Sequence, residues 1–391
     1  MTGPAELAII GVGQTPYRRR HEGSTPELVQ AAVRAALDHS GLEHRDIDLV
    51  IGGFAPDALA GENCPDKRFL PAAGAVGKWS MRVNTGGTTG IAAAYAAMDL
   101  LEAGHGDAAL VVAVERMAQA RSVPAVFNSI FDPVYERDTG LSTVSMAALR
   151  ASRMMQRYGY TARLWAQVAA RNFAPAASNP LAQIRIPHTA ADVLGSRMLA
   201  WPIRQLDACP ISEGVCAVVV ARTSAAGPGR RSALVRSRAT VTDTYNMGDR
   251  IGRREGDLVE LLTLQLAARR ALGEAGLPSA AEADVVEIHA PFGSAETMAY
   301  APLGFCAAAD GPALVASGFG HRDGGGAVIN PSGGPQAANP VGATALVRLA
   351  ECALQVMGEA GERQVRGAAT AVATGQGGST QFSTCTVLSA S

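Results

Sequence analysis

Apolar and polar positions recur along this chain with two alternating periods. Stretches with apolar residues every three to four positions predict helices at 27–40, 90–103, 258–275 and 342–358. Short runs rich in Val, Ile, Leu and Ala predict buried strands at 7–11, 49–53, 108–114, 285–289, 369–374 and 383–388. Strands that alternate with helices of this length imply an α/β sheet covered by helices.

The pattern also repeats. ALDHSGLEHRDIDLVIGGF (36–54) matches ALGEAGLPSAAEADVVEIHAPF (271–292): a helix ends at Gly-Leu, and a polar linker with an aspartate leads into an apolar run. LLEAGHGDAALVVAVE (100–115) matches VMGEAGERQVRGAATAVATG (356–375) in the same order. The expected fold is therefore a duplicated α/β unit, two βαβαβ-type halves layered α/β/α/β/α. Residues 1–116 with 220–240 make the first half and 241–391 the second. Residues 117–219 form an insertion with two helical stretches, 145–158 and 162–173, and a Pro-rich loop at 174–188. An insertion of this kind in an α/β protein caps the active site or makes a subunit contact.

Composition narrows the class. Hydrophobic residues are 48% and charged residues 18% of the 391, which suits a compact globular chain. Lys plus Arg is 34 and Asp plus Glu 35, a net charge of −1 that offers no general attraction for nucleic acid or an anionic membrane. No secretory leader or apolar span of membrane length is visible. The six cysteines, Cys64, Cys209, Cys216, Cys306, Cys352 and Cys385, form no CxxC pair and read as reduced thiols of a cytoplasmic protein. No metal-ligand spacing occurs.

The chemistry-bearing motifs lie at the ends of the predicted strands. RVNTGGTTG (82–90) is a glycine-rich turn opening a helix, where free backbone N–H groups can meet an anion or oxyanion. WPIRQLDACPISEGVCAVVV (201–220), EIHAPF (287–292), NPSGGPQAANPVGATA (330–345) and TGQGGS (374–379) follow in order. Together these resemble the thiolase superfamily, in particular its sterol-carrier-protein-x or lipid-transfer-protein branch, over nearly the whole chain.

The resemblance implies a site and exposes its gaps. Gly87 stands where thiolases carry the nucleophilic cysteine, so no acyl-enzyme can form there. Asn339 stands at the Gly-His-Pro histidine, and an amide is no base at neutral pH. Thr374 is the best match to the second cysteine. Cys306 is the best placed of the remaining thiols, and core packing is its default role. His289 matches the branch's oxyanion-hole histidine. The chain is therefore expected not to work as a thiolase. Loss of the cysteine side chain is expected to leave open space, lined by the turn's N–H donors and by Asn84, Thr88, Gly377, Gly378 and His321.

Such a site could hold a thioester enolate. The branch includes thiolase-like aldolases that cleave steroid side chains as CoA thioesters, lack the cysteine and work beside a small zinc-ribbon and OB-fold partner. Those aldolases carry tyrosines at the positions held here by His289 and Asn339, so the base is left open among His289, Tyr300 and Tyr245. His321 and Asp323 form a further polar pair. By this resemblance the chain is a retro-aldolase on a β-hydroxyacyl-CoA, with a degenerate acyltransferase or condensing enzyme and a non-catalytic subunit as alternatives. CoA enters as part of the substrate, and no tightly bound cofactor is expected. Arg18, Arg19, Arg20, Arg150, Arg153, Arg157 and Arg163 are candidates for its phosphates, though each taken singly reads as a solvated surface charge. A homodimer through the strand next to the nucleophile turn is also expected by resemblance.

Overall fold

The computed structural model describes residues 6–391 except 226, 228, 245 and 254. Ten strands form one sheet: β1 (Leu7–Gln14), β2 (Leu49–Phe54), β3 (Trp79–Val83), β4 (Ala108–Glu115), β7 (Gly214–Arg222), β8 (Ala233–Thr242), β9 (Val285–Glu287), β10 (Val328–Ile329), β11 (Thr370–Gly377) and β12 (Phe382–Ala390). A separate two-stranded ribbon pairs β5 (Met198–Ala200) with β6 (Ile203–Arg204).

The order of the large sheet displays the duplication. It runs β3-β2-β4-β7-β1 and then, reversed, β8-β12-β11-β9-β10. In the first half β2 lies parallel to β3 and β4, while β7 is antiparallel to both β4 and β1. The second half copies this: β9 is parallel to β10 and β11, and β12 is antiparallel to β11 and β8. The halves meet through an antiparallel β1–β8 pair. The segments matched in sequence fall on topologically equivalent strands, β2 with β9 and β4 with β11.

Helices complete the layers. Thr25–Ser40 packs on β1 and β7, and Leu262–Glu274 packs on β8 and β12. Between the halves lie Thr89–Glu102 and Val341–Met357, which pack on each other. Val341–Met357 touches strands of both halves and is buried all round, as a helix without a solvent face must be. It carries Arg348 and Glu351 inside, each neutralised, by Glu287 and Arg363 respectively. Local signals set the helix ends. Thr25–Ser40 starts on a Ser24–Glu27 capping box and stops at Gly41, whose φ of 66° closes the last turn.

Four strands of the sheet, β3, β7, β8 and β10, lie outside the runs that periodicity predicts; β10 has only two residues, and β7 places residues 214–219, expected in the insertion, in the first half's sheet. β3 lies at the sheet edge with Trp79 43% and Met81 38% exposed, so it lacks the apolar run of a buried strand. β8, at the junction of the halves, is buried only at Ala233 and Ser237 and is half-exposed or exposed elsewhere, so it shows no apolar run. The insertion contributes helices Thr143–Tyr158 and Ala162–Ala176, as its pattern predicts.

Candidate active site

The residues around His289 form the site. β9 ends at Glu287, and the next two residues are held by side chains from neighbouring elements. Asn330 Oδ1 accepts from Ile288 N at 2.7 Å, and Thr374 Oγ1 accepts from His289 N at 2.9 Å. Asn330 adopts a positive φ of 50° after β10 and donates its amide to Glu296 at 3.0 Å. Buried backbone donors that leave a sheet need such partners.

The His289 ring is oriented as firmly as its backbone. Gln376 N donates to His289 Nδ1 at 3.1 Å. A backbone N–H can only donate, so Nδ1 carries no proton and the neutral ring holds its hydrogen on Nε2. Burial, and next the positive charge of Arg348, push the imidazole pKa down to about 3. At neutral pH His289 is therefore an uncharged ring whose Nε2–H can donate a hydrogen bond and whose Nδ1 is already occupied.

His289 lines a cavity of about 90 Å³ with Met146, Arg150, Ser294, Gln376 and Gly378 among its walls. Helix Thr143–Tyr158 of the insertion supplies Met146 and Arg150, so the insertion shapes this cavity. Among the described lining residues only His289 and Arg150 titrate, and no cysteine is present.

The glycine turn does not leave open space. A Cβ added to Gly87 would overlap the carbonyl oxygen of Gln376, with Gln376 C and Gly377 Cα each 3.4 Å away. The backbone of β11 has closed onto the position of the lost side chain. Gly377 is packed as tightly, since its own Cβ would lie 2.8 Å from Thr85 O and 3.0 Å from Thr88 N. The expectation of an emptied pocket at Gly87 is thus corrected: two glycine backbones pack face to face, forming a wall behind the cavity.

The other candidates from the sequence fall in different places. Thr88 is buried and ties the turn by donating to Thr85 O at 2.9 Å, and Asn84 Oδ1 accepts from Gly86 N at 3.2 Å. Gly378 reaches the cavity. Thr374 is wholly used in holding His289 N.

Asn339 lies outside the cavity lining. Its side chain donates to Cys209 Sγ and accepts from Thr344 Oγ1 at 2.8 Å, and its backbone N donates to Ser212 Oγ. It organises the start of helix Val341–Met357. Cys209 is no hidden nucleophile, because burial pushes its thiol up to about 12.

Tyr300 is a further correction. It follows helix Gly293–Met298, and its hydroxyl donates to Glu296 Oε1 at 2.8 Å and accepts from Arg171 at 3.1 Å. Arg171 also pairs with Glu296, and Asn172 and Asn330 complete that carboxylate's shell. Burial raises the phenol pKa well above its usual value, so Tyr300 keeps its proton. Its ring borders a separate cavity of about 190 Å³ that also includes Tyr158, Tyr160, Glu260 and Cys306 but not His289. Cys306 is therefore remote from the site as well. His321 and Asp323 are on an exposed loop outside both linings. Tyr245 lies outside the described residues.

Gln376, which no sequence candidate included, and Arg150, a candidate for the CoA phosphates, line the cavity. Gln376 stands two positions beyond Thr374 on β11, and strand alternation returns it to the same face. Arg150 reads as a surface cation in the sequence, yet it is buried.

Comparison with known proteins agrees with this architecture. Residues 7–190 match the family "Thiolase, N-terminal domain", and residues 249–390 match "Thiolase C-terminal domain-like". An acetyl-CoA acetyltransferase of Methanothermobacter thermautotrophicus is 30% identical over 93% of this chain and 94% of its own. The chain belongs to the thiolase superfamily. Within it, sterol carrier protein 2 of Gallus gallus is 27% identical over 95% of this chain and 70% of that protein, which supports the sterol-carrier-protein-x and lipid-transfer-protein-like branch. Among solved structures, an "Ltp2-ChsH2(DUF35) aldolase" matches all of this chain and 99% of its own, with a TM-score of 0.83 and 22% identity. Human mitochondrial 3-ketoacyl-CoA thiolase matches at a TM-score of 0.73 and 14% identity over the whole of both chains. Gly87 of this superfamily member is packed against β11, and no helix among the described residues is long and apolar enough to cross a membrane.

Proposed function

We propose that this chain is a carbon–carbon lyase that cleaves a β-hydroxyacyl-CoA thioester by a retro-aldol step. One observation carries the reading: the site keeps a neutral, fixed hydrogen-bond donor in His289 while Gly87 has no room for a nucleophile. Acyl transfer needs the nucleophile. Enolate chemistry needs the donor.

In the proposed step the β-hydroxyl loses its proton to a base and the Cα–Cβ bond breaks. A ketone or aldehyde forms at the old β-carbon. The bonding pair moves into the thioester enolate, whose oxygen is held by His289 Nε2–H. The proton then returns to Cα, giving a shortened acyl-CoA. Atoms and charge balance without an oxidant or a bound cofactor.

The described cavity wall supplies no proton acceptor, because His289 donates and Arg150 is a cation. Tyr245 is the chain's own candidate for that role. A small partner protein that completes the site belongs to the proposal, supported by the two components named for the aldolase of like fold. So does a homodimer through the exposed edge of β3, and a monomer mass in light scattering would remove that part.

The lack of a base in the described wall favours a second reading, a thiolase-like subunit that binds a thioester without turning it over. Mass spectrometry of the chain incubated with β-hydroxyacyl-CoA thioesters, with and without a co-purifying partner, separates the two. A carbonyl product with a shortened acyl-CoA supports the lyase. Binding without cleavage across the panel selects the subunit.

A further inference from the structure

The His289 cavity has an unusual electrostatic wall. Arg150 is 5% exposed and donates to Ser379 O at 2.6 Å, while its buried Nε has no protein acceptor. Arg250, 4% exposed, stands behind the same wall. It donates to Thr380 Oγ1 at 3.1 Å, and both its Nε and one terminal nitrogen are buried without an acceptor. Gln376, in the cavity lining, also has a buried amide nitrogen without a partner.

Neither arginine forms an ion pair with a carboxylate of the described residues. The acids that act on Arg250 are Asp243, Asp249 and Glu136. Asp243 is paired with Arg253 at 3.0 Å, and Glu136 accepts from the backbone of Met247 and Gly248. The main charge acting on Arg150 is Arg250, and it is repulsive. Arginine keeps its charge at any physiological pH. Two buried guanidiniums held on the neighbouring residues Ser379 and Thr380, one of them with no carboxylate acting on it, are costly, and the cost falls when an anion joins them.

We propose that Arg150 and Arg250 form an anion subsite that takes a carboxylate at the far end of the substrate's acyl group. The chain then acts on a thioester whose acyl part carries a second, negatively charged terminus. This rests on the thioester reading above. The size of the cavity agrees. Its volume of about 90 Å³ is far below the roughly 300 Å³ at which drug-sized pockets begin. It suits a short acyl fragment and not a fused ring system. His289 at one wall would hold the thioester oxygen while Arg150 at another holds the terminal carboxylate.

Calorimetric titration of the full chain tests this with succinyl-CoA, butyryl-CoA, free CoA and free succinate. The two esters share acyl length and differ in the terminal carboxylate. Hydrogen bonds to a charged group predict about tenfold or more tighter binding of succinyl-CoA. In Arg150→Gln that preference should collapse, read as the ratio of the two Kd values measured on the same variant. Equal Kd values for the two esters on the unaltered chain overturn the proposal, and this comparison needs no variant to fold. If Arg150→Gln weakens free CoA as much as succinyl-CoA, the anion is a CoA phosphate and the acyl assignment falls. If no CoA species binds but succinate binds the unaltered chain and not Arg150→Gln, the anion subsite stands and the thioester reading fails instead.

Discussion

Restoring a cysteine at Gly87 should not restore a thiolase. The added Cβ would overlap Gln376 O, and a backbone carbonyl cannot swing aside as a side chain can. One of two backbones must move. The turn is anchored by Thr88 and by Gly90, whose own Cβ would lie 2.7 Å from Leu346 Cβ on the buried helix. β11 is anchored by pairing with both β9 and β12. Overpacking of a closed interior costs about 1–3 kcal/mol. In a chain of this size that lowers Tm by roughly 1–6 °C, and it shifts the urea midpoint in the same direction. The assay pairs Gly87→Ala with Gly87→Cys. Both should lose similar stability, because the clash begins at Cβ and the sulfur adds to it. Gly87→Cys should also fail to cleave acetoacetyl-CoA with added CoA. A Gly87→Cys protein of unchanged stability that performs thiolysis would refute the argument, since it would mean the turn stands clear of β11.

Two further outcomes follow from the site. Burial keeps His289 neutral in the fold down to about pH 3, whereas the unfolded chain protonates it near pH 6.5. Between those values the unfolded state binds the extra proton, so stability falls as pH is lowered from 6.5 toward 3. His289 alone contributes a loss of roughly 2 kcal/mol at pH 5 relative to pH 7. Because buried Glu115 and Asp207, pushed up to about 7 and about 6, act in the opposite sense, it is read as the difference in acid-induced urea-midpoint shift between the unaltered chain and His289→Gln. Tyr300→Phe removes one of the donors around buried Glu296 and should cost about 1–2 kcal/mol in denaturant melts. Turnover per folded molecule should not change, and a tenfold fall in turnover at unchanged stability would place Tyr300 in the chemistry after all.

Most of the fold was legible because its signals are local. Helix and strand periods, the Ser24–Glu27 cap and Gly41 depend on residues a few positions apart. The duplication was visible because each half repeats the same local grammar. β3 and β8 were missed where that grammar weakens, one at a sheet edge and the other at the seam between halves; β10 is too short to show a period, and β7 was absorbed into the expected insertion. That a glycine and not a cysteine stands at position 87 of the 82–90 turn was legible too, since a motif shows which residue type stands at a position.

What that position became was decided only by tertiary contact. Whether a glycine leaves a void or lets two backbones meet depends on how the 85–88 turn docks on 376–378, and no local pattern encodes that distance. Pairing of β11 beside β9 brings Gln376 N to His289 Nδ1, which fixes the imidazole as a donor. Tyr300 and Asn339 lie outside the cavity, each held by hydrogen bonds elsewhere. Arg150 reads as one more helix-surface cation in sequence. Its burial comes from the insertion folding back over the second half, which places a guanidinium in the wall of the cavity that His289 lines. Sequence determined the scaffold and the missing thiol; packing between distant segments determined the shape and polarity of the site that remains.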